Sequence, residues 1–427
     1  MRFTPLLTAL AFVLGTTLAP AQELRGHGGP VRALALSADG ASAISGSFDQ
    51  SAIIWDLAKG HARAVLRLHE GSVNAVASLS DGRFATAGED GRVAFWSADG
   101  QDLLHATRVH DAPISALAVA PGGVALASAA WDGEARVLDP KDGRTLRTLV
   151  GHKGNVNGVV FLAGGRIATA GYDGLVRLHE PDGAARSIET GVALNTLVGL
   201  PDGRLAAGGA SGQLFFVDPL EGQLTDLQAA DSPIIALAAS QDGRTIAAAG
   251  PRGGVAMIDA AERRLRFTLN GPGLPVWSMA FSPDGATLFT GGGDRIVRRW
   301  NARTGEHLGA IVTERPKDDF AGLDATSRGA EVFRACAVCH TLKPDDENRA
   351  GPTLHGVFGR KAGTAAGYRY SEAFKNLDIV WTPETVAKLF EVGPQTYTPG
   401  TKMPEQTVGD AADREALIDF LRENTTP

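Results

Sequence analysis

The stretch VRALALSADGASAISGSFDQSAIIWD, residues 31–56, contains three β-rich runs separated by two tight turns. Its first run closes on Gly40, which suits a turn conformation, and its third run ends at Trp55-Asp56. Segments like the first ten residues recur seven times, with starts at residues 31, 73, 114, 156, 194, 234 and 276. Their spacings are 42, 41, 42, 38, 40 and 42 residues. A period near 40 residues predicts a repeat architecture.

Each repeat supplies one blade of a β-propeller, counting as its fourth strand the run that leads to the next repeat. Over residues 22–312 the chain resembles the WD-repeat β-propellers. Four repeats are preceded by a Gly-His pair or a lone histidine, at His27, His69, His110 and His152. Five carry a turn aspartate six residues before the end of the third strand, at Asp49, Asp90, Asp132, Asp173 and Asp294. The resemblance implies an all-β seven-bladed propeller in which these residues, a Ser or Thr and the Trp lock each blade through hydrogen bonds.

A catalytic or metal-binding role is the alternative for these histidines and aspartates, but similar copies around a ring favour blade locking. Repeats five and six have Ser211 and Arg252 at the aspartate position and no histidine, so we expect packing to hold those blades. The last blade also needs an outer strand, because closure removes exposed edges. The residues before the first blade and Glu306–Val312 both qualify, and length favours Glu306–Val312.

Residues 1–21 have the features of a signal peptide: one early cation, an apolar run and the small-residue site Ala19-Pro20-Ala21. We therefore expect export to a bacterial periplasm. The chain has a net charge of −7, which becomes −8 without Arg2. This acidity argues against nucleic-acid binding, which needs a basic face. Since no other segment approaches the roughly 20 apolar residues of a membrane span, we expect no integral membrane segment after cleavage.

The stretch FRACAVCHTLK, residues 333–343, contains both cysteines of the chain. Cys336, Cys339 and His340 match the CxxCH pattern of covalent haem attachment, in which two thiols form thioethers with one porphyrin and the imidazole faces the iron. A redox dithiol would need a βαβ setting, which is not readable here. A structural zinc site would need four ligands, and only two cysteines exist. The motif thus predicts one heme c, bound covalently through Cys336 and Cys339.

The sequence that follows, GPTLHGVFGRKAGTAAGYRYSEAFKN and YTPGTKMPEQTVGDAADREALIDFLREN, closely resembles the class I cytochromes c of the mitochondrial and bacterial c2 type. We expect a first helix over about residues 326–336 and a last helix over about residues 411–424. The resemblance implies an all-α domain in which the small Gly329 lets these two helices cross closely. It also implies that the carbonyl of Pro352 accepts a hydrogen bond from the non-ligating nitrogen of His340, which orients the ring. By the same resemblance, the haem propionates are bound and buried by Arg360, Tyr370, Trp381 and Thr401.

The sixth iron ligand follows from methionine placement. Met403 is the only methionine of the C-terminal region and lies in PGTKMP, the ligand loop of the family. His355 is an alternative imidazole, but we expect it at the surface. With His340 and Met403 as metal ligands the iron has no open site, so we expect electron transfer at a relatively high potential and no catalytic residues.

We expect four segments: a signal peptide (1–21), the propeller (22–312), a polar linker (313–325) and a mono-haem cytochrome c domain (326–427). Residues 320–427 hold 12 Lys and Arg against 15 Asp and Glu, which makes an acidic docking partner less favourable. The sequence predicts a redox partner protein that docks on the propeller or at the haem edge. Two alternatives stay open: a haem oxidoreductase whose propeller binds a second cofactor or substrate, and an interaction protein whose haem is a relic.

Overall fold

The computed structural model describes residues 23–309, 324, 326–334, 336–337, 340–344, 351–366, 368, 370, 372–399, 401, 403 and 407–425. The predicted signal peptide, Cys339 and all of the predicted linker except Asp324 lie outside these residues. The described chain forms seven four-stranded antiparallel sheets, followed by a helical domain. This architecture confirms the predicted seven-bladed propeller and C-terminal domain.

Each blade has an inner, a second, a third and an outer strand, and the inner strands of neighbouring blades contact one another in a closed ring. The inner strands are Val31–Leu36, Val73–Ser78, Ile114–Val119, Val156–Phe161, Leu194–Gly199, Ala236–Ala239 and Val276–Phe281. The second strands are Ser42–Ser47, Phe84–Gly88, Leu126–Ala130, Ile167–Gly171, Leu205–Gly209, Thr245–Ala249 and Thr287–Gly292. The second strands are almost wholly buried, because they are packed on both faces by neighbouring blades.

The remaining two strands of each blade complete the sheets toward the rim. The third strands are Ser51–Asp56, Arg92–Trp96, Ala135–Leu138, Leu175–His179, Gln213–Val217, Gly254–Asp259 and Ile296–Asn301. The outer strands of blades one to six are His61–Arg67, Leu103–Arg108, Thr145–Leu149, Ala185–Glu189, Leu224–Gln228 and Arg264–Asn270. Short 3-10 turns at Pro121–Gly123 and Ala163–Gly165 connect inner to second strands in blades three and four.

Six inner strands begin at the residue that the repeat predicts. The inner strand of the sixth blade was expected from Ile234 but begins at Ala236. The N–H of Ile234 donates to the carbonyl of Gly209 in the fifth blade.

The ring closes differently from the prediction. Leu24–Arg25, and not Glu306–Val312, is the outer strand of the seventh blade, with Leu24 opposite Val297. Of the predicted segment, His307 forms a single bridge with Trp300, and residues 310–312 lie outside the described residues. Leu24 is 1% exposed within an apolar cluster, whereas Glu306 is exposed. Burial of Leu24 therefore favours the N-terminal strand.

The blade-locking interpretation is confirmed in the first blade. His27 Nδ1 lies 3.0 Å from Asp49 Oδ2, its Nε2 lies 2.7 Å from Ser45 Oγ, and Trp55 Nε1 donates to the same Oγ at 2.7 Å. Burial opposes ionisation of the Asp49 carboxyl, but the charge of His27 and hydrogen bonds from His27 and Ser51 outweigh it and lower the pKa to about 2. A buried polar network that is satisfied in this way stabilises one blade geometry.

The other blades vary this network. The second blade repeats it with Thr86 and Trp96, and the third repeats it without the tryptophan, where Leu138 stands. The fourth has His179 in place of Trp, and burial, followed by the charge of Arg177, lowers the pKa of His179 to about 4. Blades five and six pack through apolar clusters, as expected from the lost histidine and aspartate.

The C-terminal domain contains α1 (Arg328–Phe333), α2 (Glu372–Lys375), α3 (Pro383–Val392), α4 (Pro394–Tyr397) and α5 (Ala411–Asn424). The first helix is shorter than the expected Thr326–Cys336 because the side chain of Ser327 accepts from the N–H of Ala330 and starts the helix there. Helix α5 has the predicted bounds. Among the described residues, no helix is long and apolar enough to cross a membrane.

Helices α1 and α5 cross closely at a glycine, as the sequence predicts. A Cβ at Gly329 would lie 2.2 Å from the carbonyl oxygen of Ala416 and 2.5 Å from Cβ of Phe420. The rings of Phe333 and Phe420 meet beside this crossing, 5.4 Å apart. The crossing builds the apolar cluster against which the candidate site lies.

Candidate functional site

The site begins at the turn of chain that follows α1. The N–H of His340 donates to the carbonyl of Cys336 at 2.9 Å, so these two residues are one helical turn apart. His340 Nδ1 donates to the carbonyl oxygen of Pro352 at 2.8 Å. Because this bond commits Nδ1 as the donor, ligation of a metal by this ring falls to Nε2.

The residue before Pro352 shapes the same contact, and the sequence analysis missed it. A Cβ at Gly351 would lie 2.4 Å from Cε1 of His340 and 2.6 Å from its Nδ1. Only glycine therefore allows the backbone to lie against the face of this imidazole. A glycine immediately before the proline was the signal that could have revealed this role.

Cys336 is buried in the apolar cluster formed by α1, α3 and α5. Burial raises the pKa of its thiol to about 12, because a thiolate loses its hydration there. Cys339 lies outside the described residues. One of the two predicted attachment cysteines thus lies at the apolar cluster, one helical turn before His340.

Met403 is half-buried and packs against the same apolar cluster as Cys336. Its backbone N–H donates to Oγ1 of the buried Thr401 at 3.1 Å, and the N–H of Thr401 donates to the carbonyl of Thr398. The structure therefore brings the predicted thioether ligand and the predicted cysteine to one apolar environment. Thr401 fixes the backbone beside Met403.

Arg360 anchors the loop that carries Pro352. Its guanidinium donates to the carbonyls of Thr353 at 2.7 Å and His355 at 3.1 Å. Its own carbonyl accepts from the N–H of Trp381 at 2.9 Å. Burial lowers the pKa of Arg360. His355, expected at the surface, is half-buried beside these bonds.

The two remaining predicted residues belong to the same domain. Trp381 packs against the apolar cluster. The ring of Tyr370 stacks on Phe374 with centroids 5.1 Å apart, and it also meets Tyr368 at 4.6 Å. Among the described residues that the sequence assigns to the site, Cys336, Trp381 and Met403 thus share one apolar cluster, and Tyr370 lies in an aromatic stack with Tyr368 and Phe374.

Comparison with known proteins shows the family of the C-terminal domain. Residues 326–425 match the family described as Cytochrome c. A cytochrome c of Arabidopsis thaliana is 46% identical over 99 residues, which are 88% of that protein and 23% of this chain. The chain belongs to the cytochrome c family. A cytochrome c of Gibberella zeae is 42% identical over 107 residues, 99% of its length and 25% of this chain. Cytochrome c2 of Blastochloris viridis is 41% identical over 103 residues, 80% of its length and 24% of this chain.

The propeller has its own family match. Residues 18–56, 60–97, 101–139, 143–180 and 263–301 match the family described as WD domain, G-beta repeat. These segments leave out blades five and six, where Ser211 and Arg252 replace the turn aspartate. WD repeats and a cytochrome c domain are thus joined in one chain.

A cytochrome c domain implies heme c and fits electron transfer. The residues present fit that group: an imidazole oriented through Nδ1, a glycine that leaves room at its face, a buried thiol and a thioether at one apolar cluster.

Proposed function

We propose that this protein is an exported electron-transfer protein with one heme c, attached through Cys336 and Cys339 and ligated by His340 and Met403. The observation that carries the proposal is the 2.8 Å hydrogen bond from His340 Nδ1 to the Pro352 carbonyl, made beside the cluster that also packs Cys336 and Met403. When bound, the haem iron supplies one-electron redox chemistry.

The chain's own residues hold the group and control its surroundings. Pro352 orients the imidazole and raises its basicity, while Gly351 lets the loop lie against the ring. Thr401 holds the backbone of Met403 in place. His340 and Met403 would hold the iron from the protein side and would leave no open site for oxygen or peroxide, so the site would favour electron transfer, and we propose no catalytic role.

Export is part of the proposal. The pattern of residues 1–21 supports passage to a bacterial periplasm, where two reduced thiols of a CxxCH motif receive haem. We expect a chain that lacks residues 1–21 to accumulate without covalent haem. A haem-stained band of full intensity from that shortened chain would contradict this part of the proposal.

The propeller supplies a docking platform for the redox partner. We define its turn face as the end of the ring that carries the turns between second and third strands. Phe48, Trp131 and Tyr172 occupy the same position on this face, directly before the turn aspartate of their blades, and are 40% to 58% exposed. Exposed aromatic side chains on a rigid frame are typical anchors of protein interfaces. We therefore propose that the partner docks on the turn face.

The ligand assignment is tested by substituting one methionine in each domain. Met403→Leu should keep covalent haem but lose the weak long-wavelength sulfur-to-iron absorption band and lower the reduction potential, because thioether ligation favours the ferrous state. Met279→Leu, in the propeller core, is the matched control and should change neither property. An unchanged band in Met403→Leu would show that another residue is the ligand.

The docking face is tested with exposed apolar residues at opposite ends of the ring. A Trp131→Ala, Tyr172→Ala double variant should lose partner recovery after mild crosslinking while its haem spectrum stays unchanged. Leu220 is 67% exposed in the turn between a third and an outer strand, at the other end of the ring. Leu220→Ala should keep partner recovery. Equal recovery from both variants would contradict docking on the turn face.

A further inference from the structure

One position of the outer strands differs sharply between blades. In each of the seven blades the register defines the outer-strand residue that pairs with the first residue of the third strand. Five of these residues are exposed, as expected at the rim of a propeller: Arg25, Arg108, Glu189, Gln228 and Asn270. The apolar Leu149 is buried. Arg67 is the one charged residue among the seven that is buried, with 7% of its surface exposed.

A residue of the cytochrome c domain covers Arg67. The guanidinium carbon of Arg67 lies 4.1 Å from the centroid of the Tyr368 ring. This distance is well within the range of a cation–π contact, which strengthens when the cation is removed from water. The burial of Arg67 and the position of Tyr368 therefore describe one contact between the domains.

The contact leads directly to the candidate haem site. The ring of Tyr368 meets that of Tyr370 at 4.6 Å, and Tyr370 is one of the residues that the sequence assigns to the haem propionates. A chain of aromatic side chains thus joins the first blade to a residue that the sequence assigns to the haem site.

The contact also has a defined place on the propeller. Arg67 pairs with Ser51, which directly follows the Asp49-Gln50 turn of the first blade. Arg67 therefore lies at the end of the outer strand that borders the turn face. The cytochrome c domain therefore meets the first blade at the rim of the turn face.

We propose that the first blade carries a seat for the cytochrome c domain, in which the guanidinium of Arg67 receives the ring of Tyr368. This contact holds the part of the haem site that contains Tyr370 next to the turn face. The cytochrome c domain would then have a fixed position relative to a partner docked on that face. This inference goes beyond the proposed function because the contact is made within one chain. It does not require the external partner, and failure of the docking-face experiment would leave it standing.

The contact depends on an arginine at position 67 and an aromatic ring at position 368. A guanidinium is planar and stacks on an aromatic face, whereas the ammonium of lysine is a compact and strongly hydrated charge. Arg67→Lys should therefore weaken the contact although it keeps the charge. Tyr368→Phe should preserve the contact because the ring remains. These paired expectations separate a stacked cation–π seat from general charge attraction.

The test uses the full-length protein with haem attached, and measures how closely the two domains associate. Five of the six tryptophans lie in the propeller, and haem quenches tryptophan emission by energy transfer over short distances. Arg67→Ala and Tyr368→Ala should each increase the radius of gyration measured by X-ray scattering and raise tryptophan emission. Arg108→Ala, at the equivalent exposed position of the second blade, is the matched control and should change neither quantity.

The double variant Arg67→Ala, Tyr368→Ala should show no larger change than either single variant, because both remove the same contact. Since Tyr368 belongs to the other domain, Tyr368→Ala tests the seat even if Arg67→Ala disturbs the first blade. The haem absorption spectrum should be unchanged in all variants. Unaltered scattering and emission in Tyr368→Ala, or an equal change in Arg108→Ala, would overturn the proposal.

Discussion

Replacing Gly351 by alanine tests whether the imidazole of His340 is held by its surroundings. The new Cβ would lie 2.4 Å from Cε1, 2.6 Å from Nδ1 and 2.8 Å from Nε2 of that ring. Ordinary contacts begin at 3.4 Å, so the ring must move by about 1 Å to relieve the overlap. A shift of this size lengthens the 2.8 Å bond to the Pro352 carbonyl beyond a good hydrogen bond.

The energetic cost of Gly351→Ala has two parts. Overpacking costs about 1–3 kcal/mol, and loss of the hydrogen bond to Pro352 costs about 1 kcal/mol. We therefore expect the free energy of unfolding of the cytochrome c domain to fall by about 2–4 kcal/mol. Urea unfolding of the full-length protein, followed by haem absorbance, reports on this domain and measures the change.

Gly409→Ala is the control for this experiment. A Cβ at Gly409 meets nothing within 4 Å, and neither glycine has a left-handed φ. The control should change the free energy of unfolding by less than about 0.5 kcal/mol. If Gly351→Ala has the same free energy of unfolding as the control and keeps the wild-type absorption spectrum, the imidazole of His340 is not held in place by close contact with residue 351.

Three further predictions concern the propeller. Asp49→Asn should lower the free energy of unfolding by about 2 kcal/mol, because folding lowers the pKa of Asp49 from 3.8 to about 2. Ser211→Asn, at the matching turn of the fifth blade, is the control, and an equal loss there would contradict a stabilising role for the hydrogen-bond network of Asp49. His179 has a pKa lowered from 6.5 to about 4, so its contribution to stability is complete above pH 6.5 and is lost as pH falls toward 4. His179→Leu, which copies the third blade, should flatten that part of the stability profile measured by urea unfolding. Leu24→Ala should cost about 2–5 kcal/mol and more than Leu308→Ala, and the reverse order would return ring closure to the C-terminal segment.

Much of the propeller could be predicted because its signals are local. The ten-residue repeat places the inner strands, since the alternation and the closing glycine act within a few residues of chain. The six-residue spacing from Asp49 to Trp55 likewise predicts the locking network, because both residues lie on one hairpin. In the C-terminal domain, the CxxCH motif and a resemblance to a known family point to His340, Pro352 and Met403.

Other features of the site could not be predicted from local pattern. The guanidinium of Arg360 donates to the carbonyls of two loop residues, although the family resemblance implied a propionate-binding role. The role of Gly351 depends on how closely the loop approaches the imidazole of His340. Such roles depend on distances between segments that only the folded backbone determines.

The sequence by itself determines the number of blades, the residues that lock them and the presence of a CxxCH haem motif, because each is written in short-range spacing. Only the tertiary structure decides which chain end supplies the outer strand of the seventh blade, since the buried Leu24 pairs with Val297, whereas His307 makes a single bridge to Trp300 further along the same strand edge. Only the tertiary structure distinguishes Arg67 from Arg108, two arginines at equivalent positions. The first is buried under an aromatic ring 301 residues later in the chain, and the second faces solvent. Contacts of such sequence separation follow from how completed domains pack, which no local periodicity encodes.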